Sequence, residues 1–132
     1  MQKLQEVVAI GRRKTAVASV RLRPATKNEM IVNDRKMEEY FPIASQVQTC
    51  LSPLKLAELL DKYDILVRVS GGGLMAQAEA VRLGLARAVL KENDFLRAQL
   101  KSAGYLRRDP RRRERKKYGQ RGARRRFQYS KR

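Results

Sequence analysis

Arginine and lysine crowd the end of this 132-residue sequence in short blocks: Arg107-Arg108, Arg111-Arg112-Arg113, Arg115-Lys116-Lys117, Arg121, Arg124-Arg125-Arg126 and Lys131-Arg132. Cationic groups at that density neutralise phosphates, Arg through paired planar N–H donors and Lys as a point charge. Residues 104–132 hold 14 Lys or Arg and only two acids, Asp109 and Glu114, so they carry +12 of the chain's net +18. The blocks are set apart by Asp109-Pro110, Tyr118-Gly119 and Gly122-Ala123. Tyr118 and Phe127 lie among them, where rings stack on bases or sugars between phosphate contacts. An import signal or a solubility tail is a simpler polybasic string. Few apolar anchors occur here and none is periodic, so burial cannot offset an ordering entropy of about 1–2 kcal/mol per residue. The expectation is an extended basic tail over 104–132, disordered without RNA. Nucleic acid would order it, since a duplex offers one negative charge about every 1.7 Å.

Two further stretches offer phosphate chemistry. Gly11-Arg12-Arg13-Lys14 falls between two strand-like runs and puts three adjacent charges on a predicted turn, a second phosphate contact. Gly71-Gly72-Gly73 leads from a strand into the longest helical pattern, where backbone amides can hold an anion. The glycines are contiguous and no Gly-Lys-Ser/Thr follows, so neither a dinucleotide fingerprint nor a Walker loop is present. The alternative is a tight strand-to-helix passage that needs positive φ or close packing. Acid–base and nucleophilic chemistry lack their parts: the chain has no His, no clustered carboxylate pair and no nucleophile beside an evident base. No enzymatic activity, cofactor or metal is expected. Cys50 is alone, which rules out an internal disulfide or a zinc finger and fits a reducing compartment.

Residues 1–103 must position these groups, and they suffice for one modest core. Val7–Ile10 is a predicted strand closed by Gly11, and Thr15–Arg23 alternates with Ala16, Ala18, Val20 and Leu22 on one face. Met30–Val32 is a third strand. Asp34 is expected to cap a short helix through Tyr40, and Ser52-Pro53 to start another with Leu54, Leu56, Ala57, Leu59 and Leu60 inward. Ile65–Ser70 is the clearest strand. Leu74–Lys91 is the longest helix, with Leu74, Ala78, Val81, Leu85, Ala88 and Val89 buried and Gln77, Arg82 and Arg87 off that stripe. Asp94 is expected to cap a last helix, with Phe95, Leu96 and Leu100 inward and Gly104 as its stop. About four strands with helices on one face give an α+β domain in two layers. No apolar run approaches the 18 or so residues of a membrane span, and the N-terminus has no signal-peptide character. Neither a membrane nor a homo-oligomer is expected as partner.

Gly11-Arg12-Arg13-Lys14-Thr15-Ala16-Val17-Ala18 resembles the N-terminal signature of the universal small-subunit ribosomal proteins numbered nine. Gly71-Gly72-Gly73-Leu74-Met75-Ala76-Gln77 with Ala80, Gly84, Ala86 and Arg87 is similar to that family's central motif. Arg108-Asp109-Pro110, Glu114–Gly119, Ala123-Arg124-Arg125 and Gln128–Arg132 resemble its bacterial-type tail. Departures are Asn33-Asp34 for the usual Asn-Gly, Leu83 for a common histidine, and Tyr129 for phenylalanine. The resemblance implies a two-layer α/β sandwich of the ribosomal S-five domain-two-like type with a left-handed βαβ crossover, where the general rule favours a right-handed one. It implies a structural role in the head of the small ribosomal subunit, in the cytoplasm or an organelle, beside neighbouring head proteins. The globular domain would bind 16S-type rRNA through Arg12, Arg13, Lys14 and Gly71–Gly73. The tail would bind it through Arg107, Arg108, Arg111, Arg112, Arg113, Arg115, Lys116, Lys117, Tyr118, Arg121, Arg124, Arg125, Arg126 and Phe127. Ser130, Lys131 and Arg132 would reach the peptidyl-site tRNA. A free-standing RNA chaperone or nucleoid-type protein would use the same electrostatics without a fixed site.

Overall fold

Alternating small and branched apolar residues build the centre of the sheet. The structure, a computed structural model, describes residues 6–25, 27–112, 114–126 and 128. Strand β1 (Val7–Arg13) pairs antiparallel with β2 (Ala16–Pro24), and β2 with β5 (Tyr63–Ser70). On the covered face, Ala16, Ala18, Val20 and Leu22 of β2 and Ile65, Val67 and Val69 of β5 are buried, matching the period-2 reading. Strand β3 (Met30–Val32) runs parallel to β5, and the two-residue β4 (Arg35–Lys36) closes the order β1-β2-β5-β3-β4. The result is a mixed five-stranded sheet with its helices on one side, an α+β sandwich.

Two-residue turns set the registers. Lys14-Thr15 joins β1 to β2, so β1 runs through Gly11 rather than stopping there. Asn33 and Asp34 both adopt positive φ, 49° and 65°, which suits a tight hairpin between β3 and β4. Asp34 is therefore a turn residue and not the expected cap. The Asn33 side chain donates to Val69 O (2.8 Å) and accepts from Val69 N (2.9 Å), extending the parallel ladder by one rung as the backbone turns away.

The helical layer departs from expectation in α2. Helix α1 is one turn (Met37–Tyr40), but α2 spans Ala44–Leu56, so Ser52-Pro53 lies in its last turns and is not its start. Gln46, Cys50, Pro53 and Leu54 form its buried stripe, at helical spacing but with a polar first member. Helix α3 (Leu74–Glu92) lies against β1, β2 and α2, with Ala78, Val81, Leu85, Ala88 and Val89 fully enclosed. Burying a Val or Leu side chain stabilises by about 1.5–3 kcal/mol. Leu74 is exposed, and Gln77 is buried, both contrary to the predicted stripe. A 3-10 turn (Asp94–Leu96) and α4 (Arg97–Ser102) follow. Asn93, not Asp94, caps that turn by accepting from Phe95 N, and Phe95 is 96 % exposed where an inward ring was expected. Leu100 is buried, and Gly104 ends α4 at φ +81°.

Helix α3 meets β1 across two glycines. A Cβ on Gly11 would stand 1.9 Å from Ala80 O, and one on Gly84 would stand 2.7 Å from a Val20 methyl. This contact seats β1 along α3, with the hairpin tip toward the helix's N-terminal end.

Candidate nucleic-acid interface

The hairpin tip and the triple glycine, 56 or more residues apart in sequence, meet in space. Gly71 and Gly72 take positive φ, 75° and 64°, and pass so close to Thr15 that a Cβ on Gly71 would lie 2.4 Å from Thr15 O. Gly73 is different: its φ is −90° and no atom would crowd a Cβ there. Behind this loop, Gln77 donates to Gly71 O (3.0 Å) and accepts from the Tyr40 hydroxyl (2.7 Å), pinning the glycines to α1 and α3. The first turn of α3 has no acidic residue and no side-chain cap, so its N–H groups remain beside the exposed Gly71–Gly73 backbone. Lys14 stands at the neighbouring tip in a left-handed conformation, φ 53°, which is unusual for a side-chain-bearing residue. A cation, exposed amides and a helix N-terminus together form an anion-attracting corner.

The three charges read on one turn point three ways. Arg12 is exposed on the uncovered sheet face, beside Val8, Ile10 and Val17, and Lys14 is exposed at the tip. Arg13, read from the sequence as a phosphate contact, is 8 % exposed, and its guanidinium is held by protein groups. Its Nε donates to Glu79 Oε2 of α3 (2.6 Å), its Nη1 to Arg111 O (2.7 Å), and its Nη2 lies 3.4 Å from Asp109 Oδ2. A buried guanidinium requires such satisfaction, because burying an unpaired charge is prohibitive.

The chain past α4 leaves along this side. Tyr105 and Leu106 pack on the core, and Arg82 of α3 lies over the Tyr105 ring at 5.7 Å. Asp109 accepts from both the guanidinium of Arg111 (2.6 Å at the shortest) and its backbone N–H (3.0 Å). Those bonds, with the charges of Arg111 and Arg13, hold its carboxyl well below the ordinary value of 3.8. Any stability that Asp109 contributes is thus present above pH 3.8 and is lost as pH falls through its depressed pKa. Glu114 is also lowered, by bonds to Lys117 and then Arg124. Gly119 turns at φ +71°, and Gln120 and Arg126 form a bridge across residues 121–125.

Arg107, Arg108, Arg111, Arg112, Arg115, Lys116, Lys117, Arg121, Arg124, Arg125 and Arg126 are exposed, and Tyr118 is 100 % exposed, with its ring open for stacking. Arg113, Phe127, Ser130, Lys131 and Arg132 lie outside the described residues. Sequence reasoning gave no role to Glu79, Gln77 or Arg82, which meet Arg13, Tyr40 and Tyr105 far along the chain. Asp109 was legible as part of a spacer and of the tail motif, but not as a partner of Arg13.

Comparison with known proteins places the chain in a family. The family model described as ribosomal protein S9/S16 matches residues 11–132, from the hairpin glycine to the final arginine. Among curated proteins, "Small ribosomal subunit protein uS9" of Lawsonia intracellularis (strain PHE/MN1-00) is 54 % identical over 124 residues, covering 94 % of this chain and 95 % of that one. The chain belongs to the ribosomal protein S9/S16 family.

Proposed function

We propose that this protein is a structural constituent of the small ribosomal subunit, with its globular domain on 16S-type rRNA in the head and its basic tail threaded toward the peptidyl-site tRNA. The observation that carries the reading is the run of exposed cations after Leu106, which leaves from a domain edge that also exposes Lys14 and the Gly71–Gly73 backbone. Folded rRNA forces phosphates together, and such a line of guanidinium groups offsets their repulsion. Tyr118 offers a stacking face within that line. The uncovered sheet face, with Val8, Ile10 and Val17 beside Arg12, Arg21 and Arg68, suits neighbouring head proteins.

On this reading the protein places tRNA and catalyses nothing. Ser130, Lys131 and Arg132 are the proposed tRNA contacts. Deleting those three residues is expected to leave subunit assembly nearly intact while weakening tRNA binding at the peptidyl site. An unchanged dissociation constant in subunits carrying the truncated protein counts against the tRNA contact. A protein that sediments apart from the small subunit counts against the ribosomal role and favours the free-standing chaperone.

A further inference from the structure

We propose that Arg13 is a latch that aims the basic tail: it ties the tail's root to α3, so that the domain sets the arm's direction before any RNA is bound. The inference rests on the functional reading above for its purpose, but the latch itself is a property of the free protein.

The geometry is specific to a guanidinium. Three nitrogens of one planar group serve three partners: Nε goes to Glu79 Oε2, Nη1 to Arg111 O, and Nη2 faces Asp109 Oδ2. Glu79 belongs to α3, whereas Asp109 and Arg111 belong to the departing chain. Arg13 itself closes β1 and is aligned by its pairing with Ala16 across the hairpin turn. Sheet, helix and tail root therefore meet at one buried side chain. The root is shaped to fit. Asp109 accepts from both the backbone and the side chain of Arg111, which folds residues 109–111 around Pro110 and turns Arg111 O toward Arg13. Tyr105, beneath Arg82, and Leu106, on the core, hold the chain on its way there.

Charge alone predicts something different. A bare electrostatic arm is improved by any change that makes it more positive. A latch is weakened by losing Asp109 or Glu79, although each loss raises net charge from the present +18. Likewise, Arg13→Lys keeps the charge that a phosphate contact needs, but an ammonium on a flexible stem cannot serve three fixed partners. Preorganisation of the root would reduce the ordering entropy lost on binding and bias the arm toward one RNA path.

The test uses the full chain, isotopically labelled and without RNA, with backbone order parameters along residues 104–112. The native root is expected near 0.85 through Arg111, as in the sheet. In Asp109→Asn and Arg13→Lys it is expected below about 0.6 from Arg107 onward. A native root already below about 0.6, or an Asp109→Asn root as rigid as the native one, overturns the latch. Should Arg13→Lys fail to fold, Asp109→Asn decides alone, because Asp109 lies on the partly exposed root and not in the core. A folded Arg13→Lys with a rigid root overturns the guanidinium requirement. The second readout is preference for a 16S-type head-domain rRNA fragment over an unrelated RNA of equal length. Asp109→Asn is expected to lower that ratio by about threefold or more. A loosened root with an undiminished ratio removes the aiming role. A native chain with a rigid root and no rRNA preference removes the rRNA reading and leaves the latch standing.

Discussion

At the scale of single residues, backbone approach and burial decide what each position tolerates. Gly11 and Gly73 both sit in motifs, yet only Gly11 is enclosed. A Cβ at Gly11 would stand 2.4 Å from Gly84 N and closer still to Ala80 O, so β1 or α3 would have to move. Gly11→Ala is expected to destabilise by about 1–3 kcal/mol as an overpacked contact between backbones. Gly73→Ala is expected to stay within about 0.5 kcal/mol, since its surroundings are open and its φ is ordinary. Urea unfolding midpoints of the two variants check the contrast, and equal shifts contradict it. Cys50 is a different case. Its thiol, buried in α2 and donating to Ala78 O (3.7 Å), is pushed by burial from 9.0 up to about 12, against the opposing pulls of a backbone bond and Arg82. The folded state thus holds the proton that the unfolded chain releases near pH 9, and the thiol's contribution is lost as pH rises from 9.0 through about 12. The difference in melting temperature between the native protein and Cys50→Ala should be flat below pH 9 and should shift against the native protein above it. A flat difference through pH 11 would show the thiol to be better solvated than its burial implies.

At the scale of elements, the sheet was legible and part of the helical layer was not. Strands β2 and β5 alternate small and branched apolar residues with polar ones, a period that admits one reading, and α3 shows a long stripe after a glycine stop. Helix α2 hid because its stripe begins with Gln46 and includes Pro53, and the pair Ser52-Pro53 is a good local start signal. Tertiary packing overrode that signal: Cys50 and Leu54 are enclosed, and the helix had to begin earlier to present them. The same limit hid the latch. Basic tail and hairpin are visible as composition, but that Arg13 faces inward depends on a contact with Glu79, 66 residues away. One feature of the sheet edges was equally invisible. Strand β1 is an edge strand, and two side chains of α3 cover its outward carbonyls: Arg87 Nη1 donates to Ile10 O (2.8 Å) and Lys91 Nζ to Val8 O (2.7 Å). The opposite edge, β4, is two residues long and both are charged. Short, charged or covered edges resist pairing with other chains. Replacing both Arg87 and Lys91 by Ala is expected to remove about 0.5–1.5 kcal/mol per bond and to leave β1 open for pairing. Sedimentation velocity over rising protein concentration should then show association that the native chain lacks at the same concentrations. A double variant that sediments as the native chain does would mean that β1's edge is protected by something else.

At the scale of the whole molecule, the proposed rRNA contacts would divide the work, with selection falling to the domain and attraction to the arm. Exposed cations separated by more than about 8–10 Å are screened from one another at physiological salt, so a tail of spaced blocks tolerates its own repulsion. Against a line of phosphates, each block instead releases counterions. The structure also moves the useful boundary for an experiment. Tyr105 and Leu106 pack on the core and residues 109–111 are held by Arg13, so a chain ending at Arg112 keeps the domain and the latch intact, whereas one ending at 104 would lose the latch and the packing of Tyr105 and Leu106. Binding of the full chain and of residues 1–112 to a small-subunit rRNA head domain then isolates the arm. If about six cations beyond Arg112 meet phosphates, the log–log salt slope of the full chain is steeper by about 5, at about 0.7–0.9 per contact. Both chains should still prefer that RNA to an unrelated one of equal length, because the hairpin tip, the glycine loop and the aimed root are common to both. Equal slopes would mean that the cations beyond Arg112 are not ligands for this RNA. A steeper slope with the preference lost in residues 1–112 would mean that the arm chooses as well as binds, and the division of labour between domain and arm would fall.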